Sequence, residues 1–161
     1  MSFAWFLTDT AQQPVFPLYE FALSKFNIDR ATTGVSMDTI SVLLVEDEPL
    51  LALDVESALI DAGYTVTMTS SGEQALEALS SMGAPFSAMV TDIRLGNGAD
   101  GWAVAKKARE LIPGLPVVYM SGDSAANWTS MGVPESVMLT KPMALSQVVV
   151  ALAQLMNARH S

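Results

Sequence analysis

The chain has 161 residues, half of them hydrophobic, with a formal net charge of -9 and no cysteine. That length supplies one domain with a full core and a little more. The acidity argues against nonspecific binding to nucleic acid or anionic membrane, and the absent thiols exclude disulfides, thiolate catalysis and zinc–thiolate sites. The single histidine, His160, stands next to the C-terminus and reads as a solvated tail residue, so histidine base chemistry is not expected. No apolar run approaches the roughly 18 residues of a membrane span. The N-terminus lacks the basic region of a secretory signal, its first lysine being Lys25. A soluble cytoplasmic protein is the expectation.

Residues 1–37 differ from the rest, carrying Phe3, Phe6, Phe16, Phe21 and Phe26 with no convincing alternation. Pro17 can open a short helix with Leu18, Phe21, Ala22 and Lys25 at helical spacing, and Ala31 to Ser36 reads as a linker. Three readings stand: a partly ordered tail upstream of a natural start at Met37, an extra helix packed on the domain or on a second copy, and a docking peptide. From Ser41 the pattern becomes regular. Ser41 to Val45 is a solidly apolar strand, as expected when both faces are buried. Pro49 suits a helix's first position, Leu51, Val55, Ala58, Leu59 and Ala62 mark its inner face, and Gly63 is a natural cap. Tyr64, Val66 and Met68 alternate with threonines, which fits an edge strand. Ser70 and Glu73 have capping-box spacing before a helix carrying Ala75, Leu76 and Leu79.

Phe86 to Thr91 is the third strand, ending at Asp92 and followed by a glycine-rich loop to Gly101. A helix with Val104, Ala105, Ala108, Leu111 and Ile112 inward then closes at Pro113-Gly114. Val117 to Met120 is the fourth strand, Ser124 can cap a short helix to Met131, and Val137 to Leu139 is the fifth strand. Leu145, Val148, Val149, Leu152, Leu155 and Met156 face inward on a final helix, and no second domain is expected after it. Five βα units imply a parallel sheet with right-handed crossovers and helices on both faces.

The strand ends carry Glu46, Asp47 and Glu48 after the first, Asp92 after the third, Ser121 after the fourth and Lys141 after the fifth. Carboxylates converging at one lip repel one another unless a cation joins them, and oxygen-only ligands suit Mg²⁺. A lysine and a hydroxyl opposite would complete a pocket for a phosphoryl group. Singly, each feature has a plainer reading, since acidic loops are usually solvated and a Lys-Pro is a turn. Together, at the ends of four strands of one sheet, they are hard to dismiss.

Over residues 38–158 the chain resembles the receiver domain of bacterial two-component response regulators, the stand-alone single-domain type. Leu-Leu-Val-Glu46-Asp47-Glu-Pro resembles the family's acidic pair, Val-Thr-Asp92-Ile its phosphoacceptor, Tyr-Met-Ser121-Gly122 its hydroxyl-plus-small pair, and Thr-Lys141-Pro142 its lysine with a cis proline. The resemblance implies a flavodoxin-like doubly wound (βα)5 sandwich of three layers with strand order 2-1-3-4-5. It divides the chain into an extension, 1–37, and a receiver domain, 38–161. It implies Mg²⁺ held by Glu46 (through water), Asp47, Asp92 and the backbone carbonyl of Arg94. Asp92 would accept the phosphoryl group of a histidine kinase or histidine phosphotransferase, Lys141 would offset the developing charge, and Ser121 would turn toward the phosphate as the switch. Apart from this Mg²⁺-dependent self-phosphorylation and dephosphorylation, no enzyme activity is implied.

Three departures qualify the resemblance. Met138 stands where the family usually has a switching aromatic; Tyr119 is a substitute, though a strand residue there reads more simply as core. The loop after Asp92 lacks the usual proline and is one residue longer, which points to a looser backbone near the metal. Arg94 and Asp123, with Gly122, occupy variable positions that influence phosphate lifetime in this family, and Arg94 and Asp123 are expected to pair across the mouth. Trp102 is expected to pack, whereas for Trp128 packing and partner contact stand level. The leading reading is a phosphorylatable receiver that works by binding a kinase, phosphotransferase or downstream regulatory protein, its usual interface being the fourth helix and the fourth and fifth strands. The alternative is a receiver-like scaffold that binds independently of phosphorylation. A dehalogenase-type phosphatase would need a second aspartate where Arg94 stands, and a dinucleotide site would need glycines where Glu46-Asp47-Glu48-Pro49 stands.

Overall fold

A computed structural model describes residues 39–81, 86–123 and 125–159. The chain divides into two units, Met1–Met37 and Asp38–Ser161, and every element below belongs to the second. The expectations for residues 1–37, for Ser124 as a cap and for His160 lie outside the described residues.

In chain order the elements are β1 (Ser41–Val45), α1 (Pro49–Asp61), β2 (Thr65–Thr69), α2 (Gly72–Ser80), β3 (Ala88–Asp92), α3 (Gly101–Leu111) and β4 (Val117–Ser121). A 3-10 turn, Ala125–Asn127, runs into the four-residue α4 (Trp128–Met131), followed by β5 (Val137–Thr140) and α5 (Leu145–Arg159). The strands form one parallel sheet of order β2-β1-β3-β4-β5. This is the doubly wound fold implied by the resemblance.

Period-2 alternation sorts the strand side chains onto two faces. Leu43, Val45, Met89, Val117 and Tyr119 pack with Ala75 and Leu79 of α2 and with Trp102, Val104, Ala105 and Ala108 of α3. Val42, Leu44, Ala88, Val90, Val118 and Met120 pack with Val55 and Leu59 of α1 and Val148, Ala151 and Leu152 of α5. Burying one such Val or Leu side chain contributes about 1.5–3 kcal/mol, so the two layers together anchor the sheet from both sides.

Several local expectations shift. β3 begins at Ala88 rather than Phe86, and β4 and β5 each run one residue further, to Ser121 and Thr140. On the edge strand β2, Met68 is 42% exposed while Thr69 is buried. Thr69 can be buried because its hydroxyl donates to the Leu44 carbonyl at 3.3 Å. Ala52 and Ala151 lie inside, where small side chains let the helix axes approach the sheet, whereas Leu111 and Ala62 stand at the C-terminal ends of their helices and are exposed. The cap of α2 is Ser71, not Ser70: its hydroxyl accepts the Gln74 N–H at 3.3 Å, and Gln74 Oε1 accepts the Ser70 N–H at 3.0 Å. Glu73 therefore takes no part in that exchange.

Register places the site. Thr91 lies opposite Val45, so Asp92 falls level with Glu46 just beyond β1. Asp92 lies opposite Met120 and Ser121 opposite Thr140, so Ser121 and Lys141 follow at the same lip. Parallel strands send all their carboxyl ends to one edge, which is where doubly wound sheets bind ligands.

Candidate functional site

The carboxyl lip gathers Glu46, Asp47, Asp92, Ser121 and Lys141. Glu46 and Asp92 are buried and Asp47 is exposed, and one carboxylate oxygen from each lies within 4.8 Å of the others. Lys141 Nζ reaches between them, donating to Glu46 Oε2 at 3.0 Å and to Asp92 Oδ2. The Lys141 N–H donates to the Ser121 carbonyl at 2.8 Å, which holds its backbone at the lip. Its bond to Pro142 is cis, as the resemblance implied. The other Asp92 oxygen, Oδ1, accepts the Arg94 N–H at 3.0 Å. Glu46 Oε1 accepts the Glu48 N–H at 3.2 Å.

Electrostatics follows from this crowding. Burial pushes Glu46 above the ordinary carboxylate value, and the Asp92 charge adds to the rise against the pull of Lys141. For Lys141, burial acts downward, but the hydrogen bonds to Asp92 and Glu46 outweigh it and raise the ammonium above its usual value. One ammonium among three carboxylates leaves an excess of negative charge. An all-oxygen donor set with that excess fits a hard divalent cation such as Mg²⁺, which takes a few carboxylates and keeps some waters.

The remaining predicted residues fall into two groups. Arg94 and Asp123 meet across the mouth, with Nη2 2.5 Å from Oδ2. Ser121 is buried at the end of β4, and the space beside Gly122 is open. Tyr119 is fully buried, its ring tilted against Trp102 at 4.6 Å and its hydroxyl accepting the Val133 N–H at 3.2 Å. Met138 lies beside Tyr119 in the β4–β5 register and is half-buried against the same core layer. Trp102 is packed, as expected; Trp128 is 36% exposed and its indole N–H donates to the Ser136 hydroxyl at 3.0 Å.

One contact near the site was not anticipated. Glu73 Oε1 accepts the Ala99 N–H at 2.9 Å, tying α2 to the loop that follows Asp92. Its carboxyl is held below the usual range chiefly by that bond. Its capping-box spacing drew the sequence reading toward a helix cap instead.

A parallel sheet that brings carboxylates, a lysine and a hydroxyl to one carboxyl lip places the chain among doubly wound domains whose chemistry sits at that edge. Comparison with known proteins narrows this: residues 42–153 match the response regulator receiver domain, and the chain belongs to that family. It is similar to the response regulator receiver protein CpdR of Brucella abortus, with 32% identity over 119 residues, covering 73% of this chain and 97% of CpdR. It also matches the sensor kinase CckA of the same organism at 29% identity, but there spans 12% of that protein's length. A crystal structure of a response regulator receiver protein from Sinorhizobium medicae is 48% identical, with a TM-score of 0.74, and covers 77% of this chain and 99% of that one. Receiver domains are signalling proteins of two-component systems rather than enzymes, and their counterparts are histidine kinases and phosphotransfer proteins. Among the described residues no helix is long and apolar enough to cross a membrane.

Proposed function

We propose that this chain, over residues 38–161, is a phosphorylatable single-domain response regulator of the cytoplasm. Asp92 accepts a phosphoryl group from the phosphohistidine of a kinase or phosphotransferase, and the phosphorylated protein signals by protein–protein contact. The observation that carries the reading is the arrangement around Asp92: one oxygen is held by Lys141, the other by the Arg94 N–H, with Glu46 and Asp47 alongside.

In the transfer, an Asp92 oxygen forms the new P–O bond as the donor's P–N bond breaks, and the imidazole leaves. The buried ion pair holds the nucleophile in place and leaves Lys141 able to swing from a carboxylate to a phosphoryl oxygen, so positioning and charge carry the step. Glu46 (through water), Asp47, Asp92 and the Arg94 carbonyl would hold Mg²⁺, which would supply further positive charge for the transferring oxygens. Ser121 then turns toward the phosphoryl group and shifts a two-state equilibrium. Met138 repacks with it, while Tyr119, tied to Trp102 and Val133, stays in the core. Beside the pocket α1 exposes Leu50 and Leu53, apolar surface that supports a protein rather than a small molecule as donor.

Intact-mass spectrometry after incubation with Mg²⁺ and a small acyl phosphate, on wild type and Asp92→Asn, tests the proposal. A labile phosphoryl adduct on wild type alone is expected. If neither small donors nor histidine phosphodonor proteins produce an adduct, the chain is a constitutive scaffold instead.

A further inference from the structure

We propose that Glu73 is a positioning residue of the metal site: its carboxylate holds the loop after Asp92 in the shape that presents the Arg94 carbonyl. The inference deepens the receiver reading and rests on it. The loop from Ile93 to Asp100 contains no proline to stiffen it, and Gly96 and Gly98 adopt φ of +69° and +105°. Such a loop needs an outside tether.

Its two ends are closed on each other. The Gly101 N–H donates to the Ile93 carbonyl at 2.9 Å, and a Cβ on Gly101 would lie 2.1 Å from the Asp92 carbonyl oxygen. Its crest is closed on α2. Ala99 donates to Glu73 Oε1, a Cβ on Gly72 would lie 2.0 Å from the Ala99 carbonyl oxygen, and one on Gly98 would lie 1.9 Å from Glu73 Oε1. Two glycines thus let the loop approach α2, and one carboxylate oxygen fastens it there by accepting the Ala99 N–H.

At the α2 terminus the Glu73 carboxylate accepts from its own backbone N–H, while the cap itself is made by other side chains. Ser71 caps the helix, and Gln74 reaches back to Ser70. Glu73 itself touches none of Glu46, Asp47 or Asp92 through any hydrogen bond among the described residues, so it acts on the metal only through the loop. Gly96 lies between the two, where a Cβ would sit 3.7 Å from Asp47 Oδ2. The loop therefore joins the Glu73 tether to the acidic pocket within a few residues.

The test compares the full chain as wild type, Glu73→Ala and Glu73→Gln, using calorimetric Mg²⁺ titration and amide exchange of the metal-free protein. Supports of metal ligands typically carry about 10-fold in affinity. Glu73→Ala should therefore bind Mg²⁺ about 10-fold more weakly and expose the Ala99 amide to faster exchange. Glu73→Gln keeps the Oε1 acceptor and should stay close to wild type in both readouts. Equal Mg²⁺ affinity in wild type and Glu73→Ala overturns the inference while leaving the receiver reading intact, as does equal weakening in both variants, which would mark a charge effect. A wild type that takes up no Mg²⁺ overturns the metal assignment and this inference with it.

Discussion

Tyr119 combines two roles in one side chain: its ring fills the core beside Trp102, and its hydroxyl serves the otherwise unmet Val133 N–H. Burial raises its phenol above the ordinary value. A phenol raised in this way supports the fold fully below its unfolded value, and that support is lost as pH rises through the folded one. Wild-type stability should therefore fall more steeply than that of Tyr119→Phe above about pH 10 in chemical unfolding curves. At neutral pH Tyr119→Phe should be less stable than wild type by about 1–3 kcal/mol, because the buried Val133 amide loses its acceptor. The Arg94–Asp123 pair calls for a different measurement. Its side chains are 72% and 58% exposed, so it adds little to stability. We expect Arg94→Ala to unfold within about 1 kcal/mol of wild type yet to lose its phosphoryl group faster, because the pair screens the mouth from hydrolytic water. An unchanged phosphate half-life would mean that the pair is only two neighbouring charges.

At the level of elements, the join between β3 and α3 concentrates the most constraint in the fewest residues. Asp92 ends the strand, Asp100 caps the helix by accepting the Ala103 N–H at 2.8 Å, and Gly101 passes directly beneath the Asp92 carbonyl. A methyl group at Gly101 meets backbone, which cannot move aside as a flexible side chain would. Gly101→Ala should cost about 2–3 kcal/mol in urea unfolding and also slow phosphorylation by displacing Asp92. Equal unfolding midpoints would show that the loop relaxes freely. Element type was legible here, since the apolar run before Asp92 and the glycine-rich loop ending at Gly101 are local signals. The α2 cap was misplaced by one residue because Ser70, Ser71, Glu73 and Gln74 offer two overlapping capping pairs, and spacing alone does not rank them. Outward-facing Leu111 was misread because hydrophobicity predicts a buried face only when something covers it.

Across the whole molecule, the proposed metal site would couple folding to Mg²⁺. The excess charge of Glu46, Asp47 and Asp92 over Lys141 opposes the folded state, and a cation bound only there favours it. At Mg²⁺ one hundred times its dissociation constant the gain is about 2.7 kcal/mol. The melting temperature should rise with Mg²⁺, return to its starting value with a chelator, and respond little in Glu46→Gln; a flat wild-type response would remove the metal from the site. The sequence by itself determined the order of the elements, the parallel sheet and the chemistry of the lip. It could do so because alternation and strand-end residues are local, and a parallel topology then obliges those ends to converge. Tertiary structure alone decided that Glu73 reaches Ala99, 26 positions away, and that Tyr119 serves Val133 rather than solvent. Those choices depend on which way a side chain points once two distant segments are packed, and that direction is set by the packing, not by spacing along the chain.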